Sequence, residues 1–170
     1  MKALLHSKNQ AAVHFRLGNA PTPEVSGRQI LLKAKATAVN RADIVQKMGH
    51  YPPPAGESEI LGLEVAGYVE TLGSECQILQ KGQPVCALLA GGGYAEYVAV
   101  DERLCLPIPE GISFEKAAAI PEVFLTAYQA LFWLGKAEKG KHVLIHAGAS
   151  GVGTAAIQLC KAVGAIPIIT

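Results

Sequence analysis

The stretch HAGASGVGTAAIQLC, residues 146–160, decides the fold class. Just before it, HVLIHA (142–147) includes a short apolar run of the kind a buried strand makes. From the loop onward, residues Val152, Ala155, Ala156, Leu159 and Val163 recur at helical spacing, which predicts a helix ending near Gly164. AIPIIT (165–170) then reads as a second buried strand, so the segment is one β-α-β unit. Glycines between a strand and a helix are the setting of a dinucleotide fingerprint. Aligned to G-x-G-x-x-G, Gly148 is the first glycine, Ser150 takes the second position, an extra Gly151 follows it, and Gly153 is the third. The first glycine permits a tight turn, and the third lets the helix lie close to the strand. Backbone N–H groups at the helix start can then face a pyrophosphate. Gly148, Ser150, Gly151, Val152 and Gly153 are thus the candidate cofactor-binding loop, with the Ser150 hydroxyl as an extra donor. A glycine-rich turn without a ligand is the alternative, and the flanking elements favour the nucleotide. The residue that reads the ribose, about twenty positions on, would fall at the C-terminus, so NADPH and NADH are not separable here.

Composition sets the outer limits. Half of the 170 residues are apolar, 17% are charged and the net charge is +1. Such a chain can bury a core, and it offers no electrostatic reason to bind nucleic acid or an anionic membrane. No apolar run reaches the roughly eighteen residues that a membrane span needs. MKALLHSKNQAAVHF at the N-terminus lacks the sustained apolar stretch of a secretory signal. Cys76, Cys86, Cys105 and Cys160 stand far apart without a C-x-x-C pair, which suits reduced, packed thiols in a cytoplasmic protein.

Before the β-α-β unit the chain changes character. RQILLKAKATAV (28–39), LEVAGYVETLG (63–73) and YAEYVAV (94–100) are strand candidates, and Pro52-Pro53-Pro54 and Gly91-Gly92-Gly93 mark loops. This β-rich stretch predicts a compact, barrel-like domain. Ser113 is placed to cap a short helix, and Pro121 to occupy the first helical position of PEVFLTAYQALFWLG (121–135), which Gly135 ends.

NRADIVQKMGHYPPP (40–54), ILGLEVAGYVETLG (60–73), GGGYAEYVAV (91–100), AAAIPEVFLTAYQAL (117–131) and VLIHAGASGVGTAAIQL (143–159) carry a resemblance through nearly the whole chain. Together they resemble the zeta-crystallin-type quinone oxidoreductases of the medium-chain dehydrogenase/reductase superfamily. The resemblance implies an α/β plus β fold. Residues 1–120 would be a GroES-like β-rich substrate domain lacking its C-terminal completion. Residues 121–170 would be a linking helix and the first, incomplete part of a Rossmann-type dinucleotide-binding domain. Family members are much longer, so the chain reads as truncated, and its activity alone would be weak or absent.

The zinc-dependent branch of the superfamily needs a Cys where this sequence has Asn40, a His where it has Leu63, and a further ligand near Glu122. Leu63 has no lone pair and Asn40 is a poor ligand, so no metal is expected. A quinone or enone accepts hydride without a Lewis acid, whereas an alcohol is hard to deprotonate without one. The resemblance therefore implies NADPH-dependent reduction of a small-molecule quinone by a cytoplasmic homodimer. A non-catalytic binding or regulatory fragment and an enoyl-thioester reductase of the same superfamily are the alternatives. By resemblance Asn40 lies beside the nicotinamide and the substrate, Tyr51 against the substrate ring, and Thr126 at the nicotinamide end. From residue chemistry alone, Asn40 would be a helix N-cap, Tyr51 an exposed loop aromatic and Thr126 a side chain bonded to its own helix. Asp43 is expected to brace the turn after Asn40, and Glu64 to be a buried structural acid with a hydrogen-bond partner. His6, His14 and His142 show no ligand spacing, His146 is expected to be packed, and neither a nucleophile nor a proton-relay dyad stands out.

Overall fold

A computed structural model describes residues 1–6 and 15–170. His14, and most of the N-terminal stretch read above, lie outside the described residues. The chain divides into two compact units, Met1–Ala119 and Ile120–Thr170.

In the first unit β1 (Lys2–His6) and β2 (Phe15–Asn19) form an antiparallel ladder. Five further strands make an antiparallel sheet: β3 (Gln29–Thr37), β4 (Glu64–Leu72), β5 (Pro84–Leu88), β6 (Tyr97–Asp101) and β7 (Cys105–Pro107), in the order β6-β3-β4-β5-β7. Alternation puts Ile30 and Leu32 of β3 fully inside while Lys33 and Lys35 stay exposed, the one greasy and one wet face that period two demands. Val65, Val69, Val85, Ala87, Val98 and Val100 close the core from the neighbouring strands. A single bridge, Ala3 to Ala95, and bonds from the Leu4 N–H to the Tyr94 carbonyl (2.8 Å) and from the Glu96 N–H to the Lys2 carbonyl (3.0 Å) tie the smaller ladder to this sheet's loops. Helix α1 (Arg41–Lys47) follows β3. Helix α2 (Phe114–Ala118) is capped by the Ser113 hydroxyl, which accepts from the Lys116 N–H at 3.4 Å. Burial pushes the Cys105 thiol up to about 12, so it is a packing group and not a nucleophile.

A buried acid holds one loop of this unit. Glu102 is fully shielded, and its carboxylate accepts the N–H groups of Gln77 (3.0 Å) and Ile78 (2.9 Å). Burial works against ionisation, but these donors and the Leu79 N–H outweigh it and hold the carboxyl below its usual range. A depressed folded-state pKa stabilises above the unfolded value near 4.5, and that contribution disappears as pH falls through the folded one. The urea midpoint of the wild type is therefore expected to fall on acidification below that value, and Glu102→Gln to flatten the slope; equal slopes would show that Glu102 takes no part.

In the second unit α3 (Pro121–Tyr128) begins with proline at its first position, where the missing N–H costs nothing. The helix does not continue regularly to Gly135. Residues Gln129–Leu134 widen into a π-helical turn, closed by a bond from the Gly135 N–H to the Ala130 carbonyl. Strands β8 (His142–Ile145) and β9 (Ile166–Ile169) pair in parallel through α4 (Gly151–Val163). The buried face of α4 is Gly153, Ala155, Ala156 and Cys160, with Leu159 packed against it. Val152 and Val163, expected on that face, are both 39% exposed, and the buried stripe runs through Gly153 and Cys160 instead. Nor is β9 buried: Ile166, Ile168 and Ile169 all stand exposed beside a single neighbouring strand.

Candidate functional site

Two groups of candidate residues form, one in each unit. In the first, Asn40 closes the N-terminus of α1 in extended conformation. Its N–H donates to Asp43 Oδ2 at 2.7 Å, which braces the first turn as the sequence suggested. The Asn40 side-chain amide donates to Glu64 Oε1, also at 2.7 Å. Glu64 opens β4 and is 1% exposed, so this bond answers the expectation that the buried acid has a partner. Its main-chain carbonyl accepts from the Thr37 hydroxyl at 2.7 Å, which pins the end of β3 to the start of β4.

Sequence reasoning missed Tyr94. Its hydroxyl donates to the same Asp43 Oδ2 at 2.7 Å, across 51 residues of chain. The route there is backbone packing. Gly62 has φ +104°, and a Cβ on it would stand 2.7 Å from Gly93 Cα and the Tyr94 nitrogen. Two glycines therefore let the loop before β4 touch the loop before β6, and the Tyr94 N–H donates to the Leu61 carbonyl at 2.9 Å. Burial, followed by the hydrogen bond and charge of Asp43, raises the Tyr94 phenol far above its ordinary value, so it remains a donor at any working pH. The signal available beforehand was the motif GGGY, read only as a loop entering a strand.

Tyr51 is 54% exposed on the loop after α1 and belongs to neither hydrogen-bond chain around Asn40. Beside it lies a cavity of about 750 Å³, walled by His50, Pro52, Pro54, Gln46 and Leu61.

In the second unit the loop between β8 and α4 has the expected strand–turn–helix form, with a different division of labour among its residues. The left-handed conformation falls on Ala147 (φ 54°), not on Gly148. Gly148 is instead needed because a Cβ there would run into the Ile169 side chain of β9. Gly153 behaves as anticipated: a Cβ would lie within 2.8 Å of Gly148 Cα and press on the Ala147 carbonyl. Ser150 is the N-cap of α4, and its hydroxyl oxygen accepts from the Gly153 N–H at 3.0 Å. That leaves the hydroxyl hydrogen to donate elsewhere, and the N–H groups of Gly151 and Val152 without intrahelical acceptors. Three donors at the positive end of a thirteen-residue helix suit a pyrophosphate. His146 is exposed rather than packed, with Nδ1 2.9 Å from the Thr170 hydroxyl. Thr126 is exposed on α3.

The alcohol dehydrogenase GroES-like domain model matches residues 26–110. The chain is 40% identical over 154 residues to the phenolphthiocerol synthesis polyketide synthase type I Pks15/1 of Mycobacterium bovis, covering 88% of this chain and 7% of that protein. The quinone oxidoreductase of Thermus thermophilus, whose structure has also been solved with NADPH, superposes with a TM-score of 0.82 at 37% identity, covering 99% of this chain and 52% of that one. The CurK enoyl reductase gives 0.85 at 26% identity, covering 99% and 53%. The chain thus spans about half of each solved structure and a small fraction of the polyketide synthase. Among the described residues no helix is long and apolar enough to cross a membrane.

Proposed function

The chain belongs to the alcohol dehydrogenase GroES-like domain family, and on that premise we propose that the protein reduces quinones, or related conjugated carbonyls, with NADPH and without a metal. The observation that carries the proposal is the pairing of a phosphate-shaped helix start at Ser150–Gly153 with a site whose side chains do not suit zinc. Leu63 is buried and carries no lone pair, and Asn40 offers only a weak amide oxygen, so the positions that would hold the ion offer it no adequate donor set. At the finest level the motifs resemble the p53-inducible quinone oxidoreductase of animals. A cytoplasmic homodimer is the form we propose.

The residues fit the pyrophosphate of a nicotinamide dinucleotide, and the resemblance selects NADPH. Gly148 and Gly153 keep the loop free of side chains, while Ser150, Gly151 and Val152 would donate to the pyrophosphate. Bound NADPH would supply the hydride, and the quinone would take it up together with a proton from solvent to become the hydroquinone. In this reading Asn40, held from both sides, orients the nicotinamide end and the acceptor oxygen, and Thr126 borders the nicotinamide. Tyr51 stacks on the acceptor ring and offers its hydroxyl to the oxygen. Tyr51→Ala should raise KM for a para-benzoquinone by about tenfold, the loss of roughly one aromatic contact, and leave NADPH affinity within about twofold. Equal kinetics with several quinones would remove Tyr51 from the site.

The likeness to an enoyl reductase and to polyketide synthases favours a second reading, reduction of an enoyl thioester by the same hydride chemistry. Competing acceptors separate the two. With the full-length protein and NADPH, kcat/KM for a para-benzoquinone should exceed that for a short enoyl thioester; the reverse order would move the assignment to the thioester.

A further inference from the structure

We infer that Tyr94 is a positioning residue that sets Asn40 through Asp43. The inference rests on the reading of Asn40 as the residue beside nicotinamide and acceptor. Both hydrogen bonds to Asp43, from the Asn40 N–H and from the Tyr94 hydroxyl, converge on Oδ2 at 2.7 Å. The other carboxylate oxygen, Oδ1, is buried and has no partner among the described residues. Asp43 is only 4% exposed, so water does not replace a lost donor readily. Deleting the Tyr94 hydroxyl therefore leaves the carboxylate a single donor, the N–H of the residue it must hold. The carboxylate then turns or shifts toward water, and the first turn of α1 shifts with it. Asn40 is the residue that feels this, because its backbone is fixed by Asp43 and its side chain by Glu64. An aromatic ring that merely filled space would not end 2.7 Å from a carboxylate oxygen shared with the site residue.

Two measurements test it. Hydrogen exchange on the full-length protein should show the Asn40 backbone N–H exchanging about tenfold faster in Tyr94→Phe, which keeps the ring and removes only the hydroxyl. Unchanged exchange at Asn40 overturns the link whatever the activity. In the full-length protein with NADPH and a para-benzoquinone, Tyr94→Phe should lower kcat/KM about tenfold in the wild-type background. In an Asn40→Ala background it should change kcat/KM by less than about twofold, because coupled residues are not additive. Equal effects in both backgrounds overturn the positioning role and leave Tyr94 as packing. Absence of quinone turnover in the wild type counts against the functional proposal, while the exchange result still decides the link from Tyr94 to Asn40.

Discussion

Gly153→Ala is expected to destabilise the Ile120–Thr170 unit by about 3 kcal/mol, the upper end of what overpacking costs. The new methyl meets backbone on every near side, the Ala147 carbonyl and the Cα and carbonyl carbon of Gly148, and backbone cannot rotate out of the way. Relief requires α4 to move off the loop, which also spreads the Gly151 and Val152 N–H groups. NADPH affinity should therefore fall at least about tenfold in the full-length protein. Gly151→Ala is the control in the same loop. Its methyl meets only the Val123 side chain at 3.0 Å, which can adjust, so the effect should be much smaller. Trp133, the one tryptophan in the chain, lies in this unit and reports its unfolding in urea. Equal midpoints for wild type and Gly153→Ala would mean that the loop is not packed as described.

Ser150→Val should be the most damaging single change at the cofactor loop that leaves the fold in place. It removes the N-cap of α4, worth about 1 kcal/mol, and the only hydroxyl among the three donors at the helix start. Losing a hydrogen bond to a charged oxygen adds roughly 1.5–3 kcal/mol to binding, a drop of about ten- to a hundredfold in NADPH affinity. Ser150→Gly loses the same hydroxyl but should be milder overall, since glycine is itself an acceptable N-cap and adds no branched side chain to the loop. If Ser150→Gly leaves the NADPH dissociation constant at the wild-type value, the hydroxyl does not touch the phosphates.

The glycine loop was legible because its rules are local. A strand, a turn and a helix start are separated by a handful of residues, and Gly153, Ser113 and Pro121 each do what their position in sequence suggests. The division of labour inside the loop was not legible. Alanine at 147 bears the left-handed backbone while Gly148 makes room for Ile169, and that depends on where β9 returns. The Asn40 cluster was half legible. Asp43 is three residues away and its bond follows from helix capping, whereas Tyr94 arrives through a contact between Gly62 and Gly93 that no spacing rule predicts. Similarly, the apolar residues of β9 suggest a buried strand when taken alone, yet its isoleucines stand exposed, and among the described residues it pairs only with β8.

A metal-free hydride site is the central feature of the proposed reaction. The measurement that tests it is NADPH oxidation by a para-benzoquinone in the full-length protein, before and after exhaustive treatment with a zinc chelator, with elemental analysis of the same sample. Turnover unchanged by the chelator, with less than stoichiometric zinc, is the expected result. One tightly bound zinc per chain, with turnover that disappears when it is removed, would contradict it.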